Sequence, residues 1–370
     1  MESESFVLQN PFLRLPEELH VQILQHLNGT DLLRSSEVCH FWYNLIANSK
    51  ISMQKITLMV GFIDCTHTTC KLINIIKTSS RRYINISIFG FFHHNMASDV
   101  IKIIKVHCKT IENLDLRNVT NDEAVVEMLQ IPNLQHLSLI SDCEKQSNCA
   151  IYSMLLKSSN KLKSLKIDNI SDHLVDCLEN NNNLITLNLS FDVALELFEH
   201  DISEMFHFKL QHLITSGSLR NRVGDNFIKF LLTQANNLHS LQVESPSAFL
   251  LDTIFNELTT LKSICLKIMC EEYPRLDLNS NEKITELEFK NPIDLDFLKS
   301  FLVATPNIVV LIIKQLDLKI VDYISKNLKK LCKVCYFYDF EYATDHYYDD
   351  ILQLPGGDGI NKHINFVCIK

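Results

Sequence analysis

Apolar residues recur along most of this chain in one phrase, apolar-x-x-apolar-x-apolar, with short amphipathic stretches between its copies. The phrase reads Leu134/Leu137/Leu139, Leu162/Leu165/Ile167, Leu184/Leu187/Leu189, Leu238/Leu241/Val243, Leu261/Ile264/Leu266, Ile284/Leu287/Phe289 and Ile308/Leu311/Ile313. Weaker copies stand at Met53/Ile56/Leu58, Tyr83/Ile86/Ile88, Ile111/Leu114/Leu116, Leu210/Leu213 and Leu331/Val334/Tyr336. The alternation at the end of each copy predicts a short strand with one buried face. Marked by their middle residues, from Ile56 to Val334, the copies recur about every 25 residues, a period that belongs to a solenoid.

Between the strands, helical spacing is seen from Asp122 to Leu129, Ser171 to Leu178, Gly224 to Leu232, Ala248 to Leu258, Asp294 to Leu302 and Lys319 to Ile324. Several stretches end in Asn before the next strand, at Asn133, Asn180, Asn236, Asn237, Asn307 and Asn327. Asn tolerates the left-handed conformation that ends a helix, so these positions are expected to turn the chain. One repeat is then strand, loop, helix and turn. It cannot bury its own apolar residues, so neighbours must stack into a continuous layer.

The N-terminal pattern is different. Leu15-Pro16 opens a helix with Leu19, Ile23 and Leu27 at i, i+4 spacing, and Asn28-Gly29 stops it. Thr30 is the expected N-cap of a second helix carrying Leu32 and Leu33. Val38, Trp42 and Leu45/Ile46 form a further apolar stripe. The order Leu15-Pro16-Glu17-Glu18, Ile23, Leu27, Asp31-Leu32-Leu33, Val38-Cys39, Trp42 and Leu45 resembles the F-box. That resemblance implies docking onto a Skp-type adaptor and, through it, onto a cullin ligase core. The adaptor contacts it implies are Leu15, Pro16, Ile23, Leu27, Leu32, Val38 and Trp42, divided between the module's own core and the adaptor groove.

The repeat phrase resembles the helix-containing leucine-rich repeat family, with one departure. The polar residue that family often places after the last strand Leu is Val119, Asp142, Ile170 and Asp192 in successive copies, so an irregular solenoid with a broken polar ladder is expected. The two resemblances together imply an α/β chain: a three-helix F-box at 9–50, a curved repeat solenoid at 51–340 with its parallel sheet on the concave face, and a tail or cap at 341–370. An F-box with leucine-rich repeats implies the substrate receptor of a Skp–cullin–F-box ubiquitin ligase, and no catalysis by the chain itself.

Composition narrows the alternatives. The chain has 370 residues, 46% hydrophobic and 21% charged, which describes a folded protein. Only 8 Gly and 8 Pro argue against long linkers. A net charge of −9 gives no footprint for nucleic acid and no attraction to an anionic membrane. The acidic start MESESFVLQN is unlike a signal peptide, and apolar runs such as Asn307 to Ile313 are too short to span a bilayer. Twelve scattered cysteines fit free thiols in a reducing compartment, so a cytoplasmic or nuclear location is expected.

Candidate chemistry is sparse. Cys332 and Cys335 have metal-pair spacing without a second pair, and Cys65, His67 and Cys70 lack a fourth ligand. His93-His94 and Asp345-His346 stand isolated; no phosphate loop or nucleophile elbow occurs, and neither a metal nor another cofactor is expected. Substrate contacts are expected at outward strand positions: Lys166, Asn188, Gln242 and Glu288, and the apolar group Val309, Val310 and Ile312. The same apolar group is also explained by a tail folded back over the last strands. A ligase-independent scaffold or small-GTPase regulator is the alternative, with Arg117-Asn118 as the pair a loop would have to present.

Overall fold

The computed structural model describes residues 14–61, 66–90, 97–119, 130–141, 150–168, 173–203, 205–218, 221–268, 277–314, 316, 318–337 and 364–369. The chain divides into two compact units, Met1–Asn181 and Asn182–Lys370. Outside the described residues lie the expected helix Asp122 to Leu129, Asp142 and Ile170 of the polar ladder, Cys65, His93-His94, Asp345-His346 and most of the tail.

The first unit opens with helices α1 (Glu17–Gln25), α2 (Gly29–Ser36), α3 (His40–Asn48) and α4 (Lys50–Lys55). Pro16 starts α1 by lending its carbonyl to the amides of Leu19 (3.0 Å) and His20 (3.3 Å), and Glu17 and Glu18 suit the positive end of the helix. Leu24, Leu32, Leu45, Ile46 and Met53 form the core of this module. Of the stripe on α1, Leu19 is 42% and Ile23 39% exposed, while His20 and Leu24 are buried. Residues one apart on a helix differ by about 100°, so the i, i+4 spacing finds a stripe without saying which of two adjacent stripes faces in. The cap of α2 is Asn28, whose Oδ1 accepts from the Asp31 amide at 2.9 Å, in place of Thr30.

The repeats follow as β1 (Thr57–Gly61), α5 (Thr66–Thr78), β2 (Asn85–Phe89), α6 (Ala97–His107), β3 (Asn113–Arg117), β4 (His136–Ile140), α7 (Ala150–Ser158), β5 (Ser164–Asp168) and α8 (Leu174–Glu179). The strands are parallel, and Leu58, Ile86, Leu114, Leu137 and Leu165 stand in one row. The first copy is thus shifted by two from the expected mark: Leu58, not Ile56, is its middle residue, and Met59 is the outward residue in register with Ser87.

The second unit runs β6 (Thr186–Leu189), α9 (Phe191–Phe198), β7 (His212–Ser218), α10 (Asn221–Gln234), β8 (Ser240–Glu244), α11 (Ala248–Glu257), β9 (Ser263–Lys267), β10 (Glu286–Phe289), α12 (Leu295–Ala304), β11 (Val310–Ile313), α13 (Leu318–Asn327), β12 (Lys333–Phe337) and β13 (Asn365–Ile369). Each strand again pairs in parallel with the next. Phe198, Phe227 and Phe230 cluster in the core, as do Phe255, Phe289, Phe297 and Phe301. Gly217 bulges β7 at φ 78°, where a Cβ would strike the Phe191 ring. From the tail, β13 extends the sheet beside β12 rather than folding over its face. It covers an edge, the part of a sheet that invites unwanted pairing.

The turns depart from expectation in an instructive way. Among the described residues the positive-φ positions other than glycine are Asn118, His173 and Ser245, so none of the expected turn asparagines is left-handed. Asn133 and Asn307 act through their side chains instead. The Nδ2 of Asn133 donates to the Lys109 carbonyl (2.7 Å) and that of Asn307 to the Glu282 carbonyl (2.9 Å), each tying one repeat to the preceding one. The family's usual ladder position holds a buried Val119 and an exposed Asp192. Buried polar groups lie instead ahead of the strands, at Asn181, Gln234, Asn281 and Thr305.

Asn181 is the best satisfied of these. Its Nδ2 donates to the Ser159 (2.5 Å) and Cys177 (2.7 Å) carbonyls, and its Oδ1 accepts from the Leu162 amide (3.0 Å). Asn181→Ala strands buried backbone groups and is expected to lower stability by about 1–3 kcal/mol, read as a lower urea midpoint. His107 supplies a second test. It is buried edge-on to Tyr83, and among the described residues neither ring nitrogen has a hydrogen-bond partner. Burial first, and then the Arg82 charge, push its pKa down to about 4. An unfolded His takes its proton near 6.5. Stability is therefore complete above about pH 6.5 and falls as pH drops towards 4, where the folded protein protonates as well. Unfolding midpoints measured across this window should show the fall, and His107→Leu should flatten it.

Candidate functional site

Two surfaces in the first unit present unusual side chains. The helical module leaves apolar groups in solvent: Val38 at 73% exposure, with Leu19, Ile23 and Phe41 near 40%. Phe41 and Trp42 each meet the buried His20 ring edge-on, at 5.1 and 5.4 Å, so the start of α3 is seated against α1. Pro16 is exposed, Leu15, Leu27 and Trp42 are half-buried, and Leu32 is fully buried. Leu32 was expected among the contact residues; at 0% exposure it holds the module together instead. Phe41 and Leu19, outside the expected contact set, are exposed as well. The run Phe41-Trp42-Tyr43 offers more aromatic surface than one helix face can bury, and that signal was available.

The module is fastened to the repeats. The Lys55 Nζ donates to the carbonyls of Leu27 (3.0 Å) and Gln25, closing the end of α1. A Cβ on Gly29 would collide with the Lys55 carbonyl, so α2 and α4 meet only because residue 29 has no side chain. Arg81 places its guanidinium 4.8 Å over the Tyr43 ring and donates to Ser36 Oγ at 2.5 Å. Lys50 pairs with Glu112 at 2.7 Å. Hydrogen bonds from Ser80 and Ser79 are the main reason the Tyr43 phenol lies below its ordinary pKa.

The second surface is a groove of about 730 Å³ on the open face of β1 to β5. Asp115 Oδ2 at its centre accepts from Ser87 Oγ (3.0 Å) and Arg117 Nε (2.9 Å). The Arg117 guanidinium stacks 5.6 Å over the Phe89 ring. Arg117 therefore lies in a strand, held on both sides, rather than on the free loop a GTPase regulator would require. Of the expected substrate contacts, Lys166 lines this groove.

The other expected contacts lie in the second unit. Asn188, Gln242, Glu288, Val309, Val310 and Ile312 are half-buried on strand faces or edges. Gln242, Cys265, Glu288, Ile312 and Cys335 share one row across β8 to β12. Glu288 is occupied by Lys290 at 2.5 Å, the hydrogen bond that chiefly raises the lysine's pKa, and Glu244 pairs with Lys267 at 3.1 Å. Burial pushes the Cys265 thiol up to about 12, with the Glu288 charge adding to it, so this is an unreactive thiol. Cys332 is exposed and Cys335 buried, so the two do not face a common ligand. Among the described residues no cluster of three or more His, Cys, Asp or Glu is placed to hold a metal ion. Nor is any of their helices long and apolar enough to cross a membrane.

A family model described as F-box-like matches residues 12–57. The N-terminal module is an F-box-like domain. Members of this family generally bind Skp-type adaptors. The match takes in α1 to α4 and stops at the first residue of β1, so it does not reach into the repeats. No curated protein matches the chain.

The exposed groups of the F-box-like domain make a direct test. Val38→Asp adds a charge where the side chain meets solvent, so folding should change by no more than about 0.5 kcal/mol. Binding to a Skp-type adaptor, measured by calorimetry, should fall by about tenfold or more.

Proposed function

We propose that this chain is the substrate-recognition subunit of a Skp–cullin–F-box ubiquitin ligase, reading its repeats as leucine-rich repeats that receive a protein substrate. The observation that carries the reading is the F-box-like match at 12–57 over a domain that keeps Val38, Leu19, Ile23 and Phe41 in solvent. An exposed apolar group of this kind on a small helical domain suits a partner's groove. The chain would make and break no bond. It would hold a substrate lysine near a charged conjugating enzyme, raising its effective concentration. Fastening of the domain to the first repeats through Arg81 and the Lys50–Glu112 pair supports this role, because a loose joint would lose the positioning.

The GTPase-regulator alternative rests on Arg117-Asn118, and the pairing of Arg117 with Asp115 at 2.9 Å weighs against it.

The test is a pull-down of the full chain on a Skp-type adaptor beside the Leu15→Ala/Pro16→Ala double variant. Leu15 and Pro16 precede α1, and alanine retains the Pro16 carbonyl that caps it. The wild type should bind, and the variant should lose about 2 kcal/mol, roughly thirtyfold in affinity. No binding by the wild type, with the fold intact by circular dichroism, would sink the receptor reading.

A further inference from the structure

The groove over β1 to β5 has two unlike ends. Strand register places Met59, Ser87, Asp115, Ser138 and Lys166 in one row across the five strands. Four strand spacings of about 4.8 Å make the row about 19 Å long, the reach of about six residues of extended chain.

At one end Met59 is 67% exposed, and the half-buried Phe89 lies diagonally from it. Phe89 pairs with Gly61, and no atom stands within 4 Å of the place where a Gly61 Cβ would be. The result is an open notch between Met59 and Phe89 on the β1 side, with the Arg117 guanidinium 5.6 Å over the Phe89 ring. The middle is polar but neutral, since Arg117 and Ser87 satisfy one oxygen of Asp115.

The far end is basic. Lys166 is exposed and, among the described residues, pairs with no carboxylate. Lys163 stands close enough to His136 that its charge, after burial, helps hold the imidazole below its ordinary pKa. Asp168 lies two residues further along β5, about 7 Å from Lys166, and Glu112, whose charge also acts on His136, is paired with Lys50 at 2.7 Å. A nucleic acid would need basic groups along the whole row. A small ligand would not span both ends.

Resting on the receptor reading, we propose that this groove binds an extended peptide segment of the substrate laid across the strands. An apolar side chain enters the Met59–Phe89 notch, and an Asp or Glu about five residues away meets Lys166. The surrounding serines and asparagines leave room for varied residues between the two anchors.

A random dodecapeptide library displayed on phage, panned against the full chain without adaptor, tests this. Enriched peptides should carry an apolar residue and an acidic residue about five positions apart. Met59→Asp should abolish the apolar preference, and Lys166→Glu should exchange the acidic preference for Lys or Arg. A synthetic consensus peptide should bind Lys166→Glu about tenfold more weakly by fluorescence anisotropy. Both substituted side chains are exposed, and hydrogen-exchange protection of β2 confirms the fold of each variant. Absence of enrichment, or a consensus that neither variant changes, overturns the proposal. Panning omits the adaptor, so failure of the adaptor pull-down and failure of the groove are separate results.

Discussion

In-register pairing of short parallel strands is the constraint on which the rest of this structure depends. Each strand has only a few inward residues, such as Leu137 and Leu139 or Leu287 and Phe289, and no strand can bury them alone. Stacking the next copy at the same register aligns these side chains in rows and removes them from water together. The ladder also satisfies the strand backbone. What it leaves over are the amides and carbonyls where a helix turns into a strand, and the buried Asn181, Asn281 and Gln234 meet several of those.

The F-box-like domain depends on the same stack. Its last helix, α4, runs into β1 with only Ile56 between, and Ile56 is buried. Arg81 and Glu112 belong to the first repeats, yet they hold Ser36, Tyr43 and Lys50 of the domain. The F-box-like domain is consequently built into the first unit rather than tethered to it, as the proposed receptor role requires.

Candidate sites were less legible than the fold, for reasons that particular residues make plain. The phrase Met53/Ile56/Leu58 fits the repeat as well as Leu58 and Val60 do, and it puts Thr57 rather than Met59 in the central row of the same face. Period-2 alternation cannot choose between frames two residues apart; the hydrogen-bonded ladder to β2 does. Glu288 seemed an available outward carboxylate, but Lys290 from the same strand face occupies it. Asn133 and Asn307 stand at turns as expected but act differently there, since a left-handed backbone and a side-chain bond to the neighbouring repeat leave the same residue in the sequence.

By itself the sequence determined the order of parts: a helical domain with the F-box pattern, then parallel strands alternating with helices, centred on Ile86, Leu114 and the later marks through Val334. Those features come from local periodicity, which burial enforces on every copy alike. Tertiary structure alone decided which stripe of α1 turns outward, that β13 completes a sheet edge, and that Met59 and Lys166 stand at opposite ends of one row. Each of these depends on contacts between residues distant in the chain, and periodicity carries no record of which neighbours a face will meet.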